Sequence, residues 1–184
     1  MPTEVTSDKL LNGVALVEYG YFEDDRGWFT EFFKRSAFDD LGLPASFRQI
    51  NRSFSENKGT IRGLHLQLPP MEQGKFVCCT KGSIFDVAVD VDKNSPTFGR
   101  WSSYELSGNN RRALWIPGQY AHGFQTLEEG TEVLYLTTNE YAPELERNIC
   151  WNDSTIGITW PIEDPLLSPR DEVAPSLSDV ILEQ

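Results

Sequence analysis

Only two histidines occur in the 184 residues, His65 and His122. Imidazole is the side chain that gains and loses a proton near neutral pH, so these two come first in a search for acid–base chemistry. His65 lies in Gly59-Thr60-Ile61-Arg62-Gly63-Leu64-His65-Leu66-Gln67. In a strand, alternation sets Ile61, Gly63, His65 and Gln67 on one side. If that side lines an interior, desolvation keeps the imidazole neutral, the form a general base needs, and the nearby charges of Arg62 and Lys75 push the same way. The alternative is that Gly63 marks a bulge and His65 points to water. A second candidate is Tyr135, in Glu132-Val133-Leu134-Tyr135-Leu136-Thr137, which shares a strand face with Val133 and Thr137. Its hydroxyl inside an apolar barrel needs a partner, either a reacting group or a backbone carbonyl, and spacing alone leaves both open.

A metal is the competing use of the same residues. The donors would be His65, Gln67, Glu72 and His122, but Gln67 stands where an HxH pair would have its second imidazole, and an amide oxygen is a poor transition-metal ligand. No metal is expected. Neither GxGxxG nor GxxxxGK[ST] occurs, so the usual dinucleotide and triphosphate cradles are missing. Of three cysteines, Cys78 and Cys79 are adjacent and only Cys150 remains to pair with either. That spacing makes no disulfide framework, redox pair or zinc pair, and the expected role is small core packing.

These residues must be positioned by strands. Period-two patterning is clearest in Ile84-Phe85-Asp86-Val87-Ala88-Val89-Asp90-Val91, with Phe85, Val87, Val89 and Val91 on one face. Lys75-Phe76-Val77-Cys78-Cys79-Thr80 reads as the strand before it, and Lys81-Gly82-Ser83 as a hairpin turn joining the two antiparallel. Further strands are expected over 15–21, 28–33, 47–55, 60–68, 98–106, 112–116, 122–126 and 131–138. One short helix is expected at 36–41, with Ser36 as N-cap, acids early and Gly42 near its stop. Many short strands with one or two short helices predict an all-β, antiparallel double-sheet jelly roll. The four prolines Pro161, Pro165, Pro169 and Pro175 predict that 161–184 runs irregularly over the body of a single domain.

Composition bounds the partners. A net charge of −12, from 28 acids against 16 bases, argues against a nucleic-acid surface, and apolar runs are too short to span a bilayer. The opening Met1-Pro2-Thr3-Glu4-Val5-Thr6-Ser7-Asp8 is acidic and lacks an apolar stretch, so a cytoplasmic protein is expected.

The residues converge on a known pattern. An ordered series runs through Asp25-Arg26-Gly27-Trp28-Phe29-Thr30-Glu31, Gln49-Ile50-Asn51, Arg62-Gly63-Leu64-His65-Leu66-Gln67 and Gln73-Gly74-Lys75-Phe76-Val77. It continues with Phe85-Asp86-Val87-Ala88-Val89-Asp90, Ser95-Pro96-Thr97-Phe98-Gly99, Ala121-His122-Gly123-Phe124, and Tyr135 with Thr138, Tyr141, Pro143 and Glu146. Across most of its length the chain resembles the dTDP-4-dehydrorhamnose 3,5-epimerases, nucleotide-sugar epimerases of cupin-like jelly-roll fold. That resemblance implies a cofactor-independent isomerase that inverts C3 and C5 of dTDP-4-dehydro-6-deoxy-D-glucose. It makes His65 the base, with Asp171 paired to it, Tyr135 the acid on the opposite face, and Lys75 the stabiliser of the enolate. Arg26, Glu31, Gln49, Asn51, Arg62, His122, Glu146 and Arg170 become substrate-binding positions, and Tyr141 the residue stacked on the base. It further implies a homodimer whose first strands pair across the two subunits. The chemistry needs these residue types in its own right: hydrogens beside a ketone leave as protons, the developing oxyanion needs a cation, and inversion needs acid and base on opposite faces. Alternatives are a mono-epimerase acting at C3 or C5, a non-catalytic sugar-binding jelly roll, and a metal-dependent cupin enzyme. The sequence departs from the pattern at Pro117-Gly118, at Leu136, and at Arg170, where Lys is frequent.

Overall fold

Two antiparallel sheets face each other in a jelly roll, and the strands alternate between them along much of the chain. The computed structural model describes residues 2–180. The strands are β1 (Pro2–Ser7), β2 (Ala15–Tyr19), β3 (Phe22–Asp24), β4 (Gly27–Phe29), β5 (Gln49–Ser55), β6 (Ile61–Gln67) and β7 (Lys75–Lys81). They continue as β8 (Ser83–Asp90), β9 (Trp101–Ser107), β10 (Arg112–Ile116), β11 (Tyr120–Thr126), β12 (Thr131–Thr137) and β13 (Glu146–Asn148). One sheet has the order β1-β2-β10-β7-β12-β5, the other β13-β6-β11-β8-β9, and β3 pairs with β4 as a separate hairpin.

Three apolar clusters explain why both sheets are so well buried. Between the sheets lie Leu16, Val77, Cys79, Ile84, Ala88, Leu114, Phe124 and Val133. Outside the six-stranded sheet, Val17, Phe76, Cys78, Trp115 and Leu136 pack under Phe38 of α1 (Arg35–Asp40). Outside the five-stranded sheet, Leu64, Leu66, Val87 and Val89 are covered by Ile149, Ile156, Leu177 and Val180 of the C-terminal segment. Each buried Val, Leu, Ile or Phe is worth roughly 1.5–3 kcal/mol relative to exposure, so these outer layers contribute as much as an inner core. The expected face Phe85, Val87, Val89, Val91 therefore faces the C-terminal segment, while Asp86 and Ala88, on the other face of β8, face the opposite sheet. Cys78 and Cys79 point to opposite faces of β7 and are both free thiols. Burial pushes them up to about 12 and about 11, so both stay protonated at neutral pH.

The structure corrects several expectations. β7 and β8 do not form a hairpin: β7 pairs with β10 and β12, β8 with β11 and β9, and Lys81-Gly82-Ser83 carries the chain across to the other sheet. Gly82 has φ +74, and a Cβ there would come within 2.4 Å of Thr131 Oγ1, so the corner requires glycine. Ser36 is not an N-cap. The helix starts after Lys34, with no side-chain cap and no acid in its first turn, and it is held by Phe38 against the rings of Phe33, Phe47 and Phe76. The expected strand 28–33 shrinks to Gly27–Phe29, and Thr30 beyond it uses its hydroxyl to donate to Gly20 O. The expectation for 181–184 lies outside the described residues. From Pro161 on, the described segment is irregular apart from the four-residue helix α2 (Pro169–Glu172) and a bridge between Thr60 and Leu166.

That segment is tied down by polar contacts that mimic backbone pairing. Gln125, fully buried, donates to Ile162 O and accepts from Ile162 N, and Asp153 accepts from the Thr155, Ile156 and Leu177 amides. These contacts deliver α2 to the end of the sandwich beside β6.

β6 itself is irregular where it matters. Against β11 its register shifts by one residue, His122 opposite His65 but Phe124 opposite Arg62. Gly63, with φ +127, sits in the shift, and a Cβ there would lie 2.5 Å from Gly123 Cα and 2.8 Å from His122 O. Gly63→Ala should therefore force the two strands apart and destabilise the protein by about 1–3 kcal/mol, read as a lower urea midpoint.

Candidate active site

Strand alternation gives the space between the sheets one apolar end and one polar end. On β12, Val133, Tyr135 and Thr137 point inward; on β7, Cys79, Val77 and Lys75 do, with Tyr135 opposite Val77 and Thr137 opposite Lys75. On edge strand β5, Gln49, Asn51 and Ser53 point inward while Ile50, Arg52 and Phe54 are exposed. The polar end opens as a cavity of about 660 Å³. Its lining brings together His65, Tyr135, Lys75, Asp171, Gln49, Asn51, Arg62, His122, Tyr141, Glu146 and Arg170. Thus eleven of the thirteen residues singled out in the sequence meet in one place. Arg26 and Glu31 do not: Arg26 is on the exposed β3–β4 turn, ion-paired to Asp24 at 2.5 Å, and Glu31 is half-buried nearby in the chain.

His65 and Tyr135 enter from opposite sheets, the imidazole from β6 and the phenol from β12. Neither alternative of the sequence reading holds alone: Gly63 does lie at a register shift, yet His65 faces the cavity. The extra residue in β6 puts Arg62 on the cavity side together with His65, although simple alternation would separate them, while Leu64 and Leu66 face the C-terminal segment. Arg62 is braced by Ser55 Oγ at 3.3 Å and Phe54 O at 3.1 Å.

His65 Nε2 donates to Asp171 Oδ1 at 2.6 Å; whenever the ring is neutral this bond selects the tautomer whose Nδ1 keeps its lone pair. Burial raises the Asp171 pKa, but the His65 hydrogen bond and charge, Ser168 and Arg170 outweigh it and hold the carboxyl below its usual range. Ser168 caps α2 by accepting from Asp171 N and donating to Asp171 Oδ2 at 2.9 Å. It is a residue the sequence reading missed; a Ser directly before Pro169, at N-cap spacing from Asp171, was the available signal.

Tyr135 is pushed up by burial, opposed by the Arg62 charge and reinforced by Glu146, so its phenol is protonated at neutral pH. Lys75 is buried, and desolvation brings it down to about 8 against the pull of Glu146 and Asp86. Its ammonium donates to Gln73 O at 3.1 Å. At the mouth, Arg170 holds both Glu146 oxygens at 2.6 and 2.9 Å, and Tyr141 donates to Glu146 Oε2 at 2.6 Å. The Tyr141 ring is about half exposed. Beneath the cavity, His122 Nε2 lies 2.7 Å from Asp86 Oδ1, and Asp86 is fully buried.

Gln67 proves to be a scaffold. Its amide donates to Met71 O and Glu140 O and accepts from Ala142 N, which fastens the segment carrying Tyr141 onto β6. Gln49 accepts from Tyr141 N and donates to Asn51 Oδ1, completing the same support. Among the described residues no group of three or more His, Cys, Asp and Glu side chains is arranged around a metal position. The arrangement can accept a proton at one face of a bound ring, donate one at the other, and stabilise a negative oxygen between them.

A family profile described as dTDP-4-dehydrorhamnose 3,5-epimerase matches residues 8–179. A Shigella flexneri protein of that name is 48% identical over 159 residues, covering 86% of this chain and 87% of its own. The solved dTDP-6-deoxy-D-glucose-3,5-epimerase of Legionella pneumophila, in complex with dTDP-4-keto-L-rhamnose, superposes with a TM-score of 0.91 at 38% identity, covering 97% of this chain and 94% of that one. The solved dTDP-4-dehydrorhamnose 3,5-epimerase of Sulfolobus tokodaii gives a TM-score of 0.90 at 44% identity, with both chains wholly covered.

Gln67→Leu should leave two carbonyls and an amide without partners and lower stability by roughly 1–3 kcal/mol, measured by urea unfolding.

Proposed function

The chain belongs to the dTDP-4-dehydrorhamnose 3,5-epimerase family and is an isomerase, and on that premise we propose how its own residues carry out the reaction. The substrate is dTDP-4-dehydro-6-deoxy-D-glucose, inverted at C3 and C5 to dTDP-4-dehydro-L-rhamnose. The observation that carries the assignment is the entry of His65 and Tyr135 from opposite sheets into one cavity that also holds a buried ammonium.

His65 Nδ1 takes the proton beside the 4-keto group. Asp171 keeps the ring in that tautomer and stabilises the imidazolium that forms. The electrons move onto the ketone oxygen, where Lys75 donates a hydrogen bond that strengthens as negative charge develops. Tyr135 returns a proton from the opposite face, which inverts the carbon, and burial suits it to be a donor because its phenol is protonated. Proton transfer of this kind balances without any oxidant, since a proton leaves one face and another arrives at the other. The pyrophosphate is anionic and the chain carries −12, so its binding rests on local guanidinium groups at Arg62 and Arg170. Gln49, Asn51, His122 and Glu146 contact the sugar and its linkage, and the half-exposed Tyr141 stacks on the base.

The same reading makes the protein a homodimer. Phe22, Trp28 and Phe29 of the β3–β4 hairpin are all more than half exposed, as are Ile50 and Phe54 on edge strand β5. Such an apolar set on one hairpin and one edge calls for a partner surface. Because β1 already pairs with β2 within the chain, the hairpin is the piece available for exchange, and it would carry Arg26 and Glu31 to the partner's cavity. The cytoplasm is the compartment this reading assigns, in keeping with three unpaired cysteines.

Turnover in deuterated water tests the chemistry: NMR of the product should show deuterium at both C3 and C5. Label at a single carbon would mark a mono-epimerase, and absence of label would remove the isomerase role of the site. His65→Ala should abolish exchange, about 10³-fold or more, whereas Tyr135→Phe should retain exchange but lose inversion. Light scattering should give twice the chain mass of 20.9 kDa, and Trp28→Asp should shift it to one while lowering turnover; a monomeric native protein would overturn the exchange reading.

A further inference from the structure

We propose that the β3–β4 hairpin is a two-faced arm: Arg111 grips the face that carries Tyr21 and Trp28, and thereby presents the opposite face, Phe22 and Phe29, to a second copy of this chain. The identity of the surface met rests on the homodimer reading above; the grip does not.

The register of the hairpin separates the two faces. Trp28 stands directly opposite Glu23, and Phe29 opposite Phe22. Opposed side chains share a side of a two-stranded ribbon and neighbours along a strand alternate, so Tyr21, Glu23 and Trp28 lie on one side and Phe22 and Phe29 on the other. The two phenylalanines are 68% and 66% exposed. On the other side, the guanidinium carbon of Arg111 lies 3.6 Å from the centre of the Tyr21 ring and 4.9 Å from that of Trp28, cation–π distances to two rings at once.

The turn between β9 and β10 holds Arg111 in place for this contact. Asn110 Oδ1 accepts from Ser107 N and Arg112 N, and the Asn110 side-chain amide donates to Glu105 O. On that frame Arg111 takes φ +57, an uncommon conformation for a residue with a Cβ and one the surrounding bonds must maintain. The next residue, Arg112, is ion-paired to Glu18 of β2, its Nε 2.7 Å from the carboxylate. Arg111 differs: its Nε is buried without a hydrogen-bond partner, and the ring faces are what compensates its removal from water.

A hairpin with three-residue strands is marginal in water by itself, so its order must come from the body of the chain. At the stem, Thr30 Oγ1 donates to Gly20 O at 2.7 Å and the Tyr19 hydroxyl donates to Phe32 O at 2.8 Å. Those bonds fix the base, and the Arg111 contact fixes the angle at which the arm leaves. The chain also offers the complement of the free face: Ile50 and Phe54 are more than half exposed on β5, an edge strand that pairs with β12 and whose inward residues line the cavity. Arm and acceptor on one chain make a contact that a twofold axis repeats. An arm lying there brings Arg26, at its turn, beside the partner's cavity.

Proton NMR of the unaltered protein tests the grip without a variant: the side-chain protons of Arg111 should be shifted upfield by the ring currents and show Overhauser contacts to both Tyr21 and Trp28. Ordinary shifts without those contacts overturn the proposal. Subunit exchange between differently labelled copies tests the presentation. Arg111→Met, similar in length but uncharged and non-planar, should speed exchange about threefold or more. Phe29→Asp should speed it at least as much while leaving the Arg111 shifts in place, since it alters the other face. Unchanged exchange in either variant, or loss of the Arg111 shifts in Phe29→Asp, overturns the two-faced arm. A native protein that is monomeric would defeat the homodimer reading and with it the choice of partner, while the Arg111 shifts would still decide the grip.

Discussion

Burying a cation and two carboxylates between β-sheets is the constraint to which the rest of this structure answers. An isolated ion in such a place would neutralise instead of remaining charged. Lys75, Asp86 and Asp171 all lie within a sandwich whose other end is filled by Val77, Cys79, Ile84 and Val133. The solution is specific hydrogen bonding: His122 meets Asp86, His65 and Ser168 meet Asp171, and Lys75 donates to Gln73 O. Such groups are positioned more firmly than surface residues could be, because any displacement leaves a charge uncompensated.

The outer layers serve the same end. A jelly roll with one wet face on each sheet could hold His65, but its partner Asp171 comes from a segment that reaches the site only by crossing the outside of the five-stranded sheet. Leu177, Val180 and Ile156 bind that segment by apolar contact, and Gln125 and Asp153 bind it by imitating backbone partners. The Leu/Val-rich outer face of β6 and β8 is thus connected, through packing, to the tautomer of a histidine on the inner face.

Electrostatically the protein works against its own net charge. With −12 overall, the field of the whole chain does not attract a pyrophosphate, and on the proposed reading its binding falls to guanidinium groups at short range. Arg62 and Arg170 are held in place by Phe54 O, Ser55 and Glu146, which limits their side-chain freedom before any ligand is bound. Arginine at 170 gives Glu146 a planar two-bond partner, which a lysine could not.

Strand-forming patterns and the jelly-roll class were legible from local alternation, because side-chain period is a property of the chain itself, whereas the family and most of the eleven residues that meet in the cavity came from the resemblance carried by the ordered motifs. Pairing between strands was not. The β7–β8 turn looked like a hairpin, since Gly82 serves equally for a reversal within a sheet and a corner between sheets, and only the surrounding strands choose between them. The helix at Arg35–Asp40 forms on the aromatic packing of Phe38 and without the expected Ser36 cap. Asp86 was visible as one letter of a motif, but its burial depended on both faces of β8 being covered, one by the opposite sheet and the other by residues more than sixty positions away. The sequence by itself determined which chemistry was available; the tertiary structure alone decided which charges left water together, because desolvation depends on what is packed around a group and not on its neighbours in the chain.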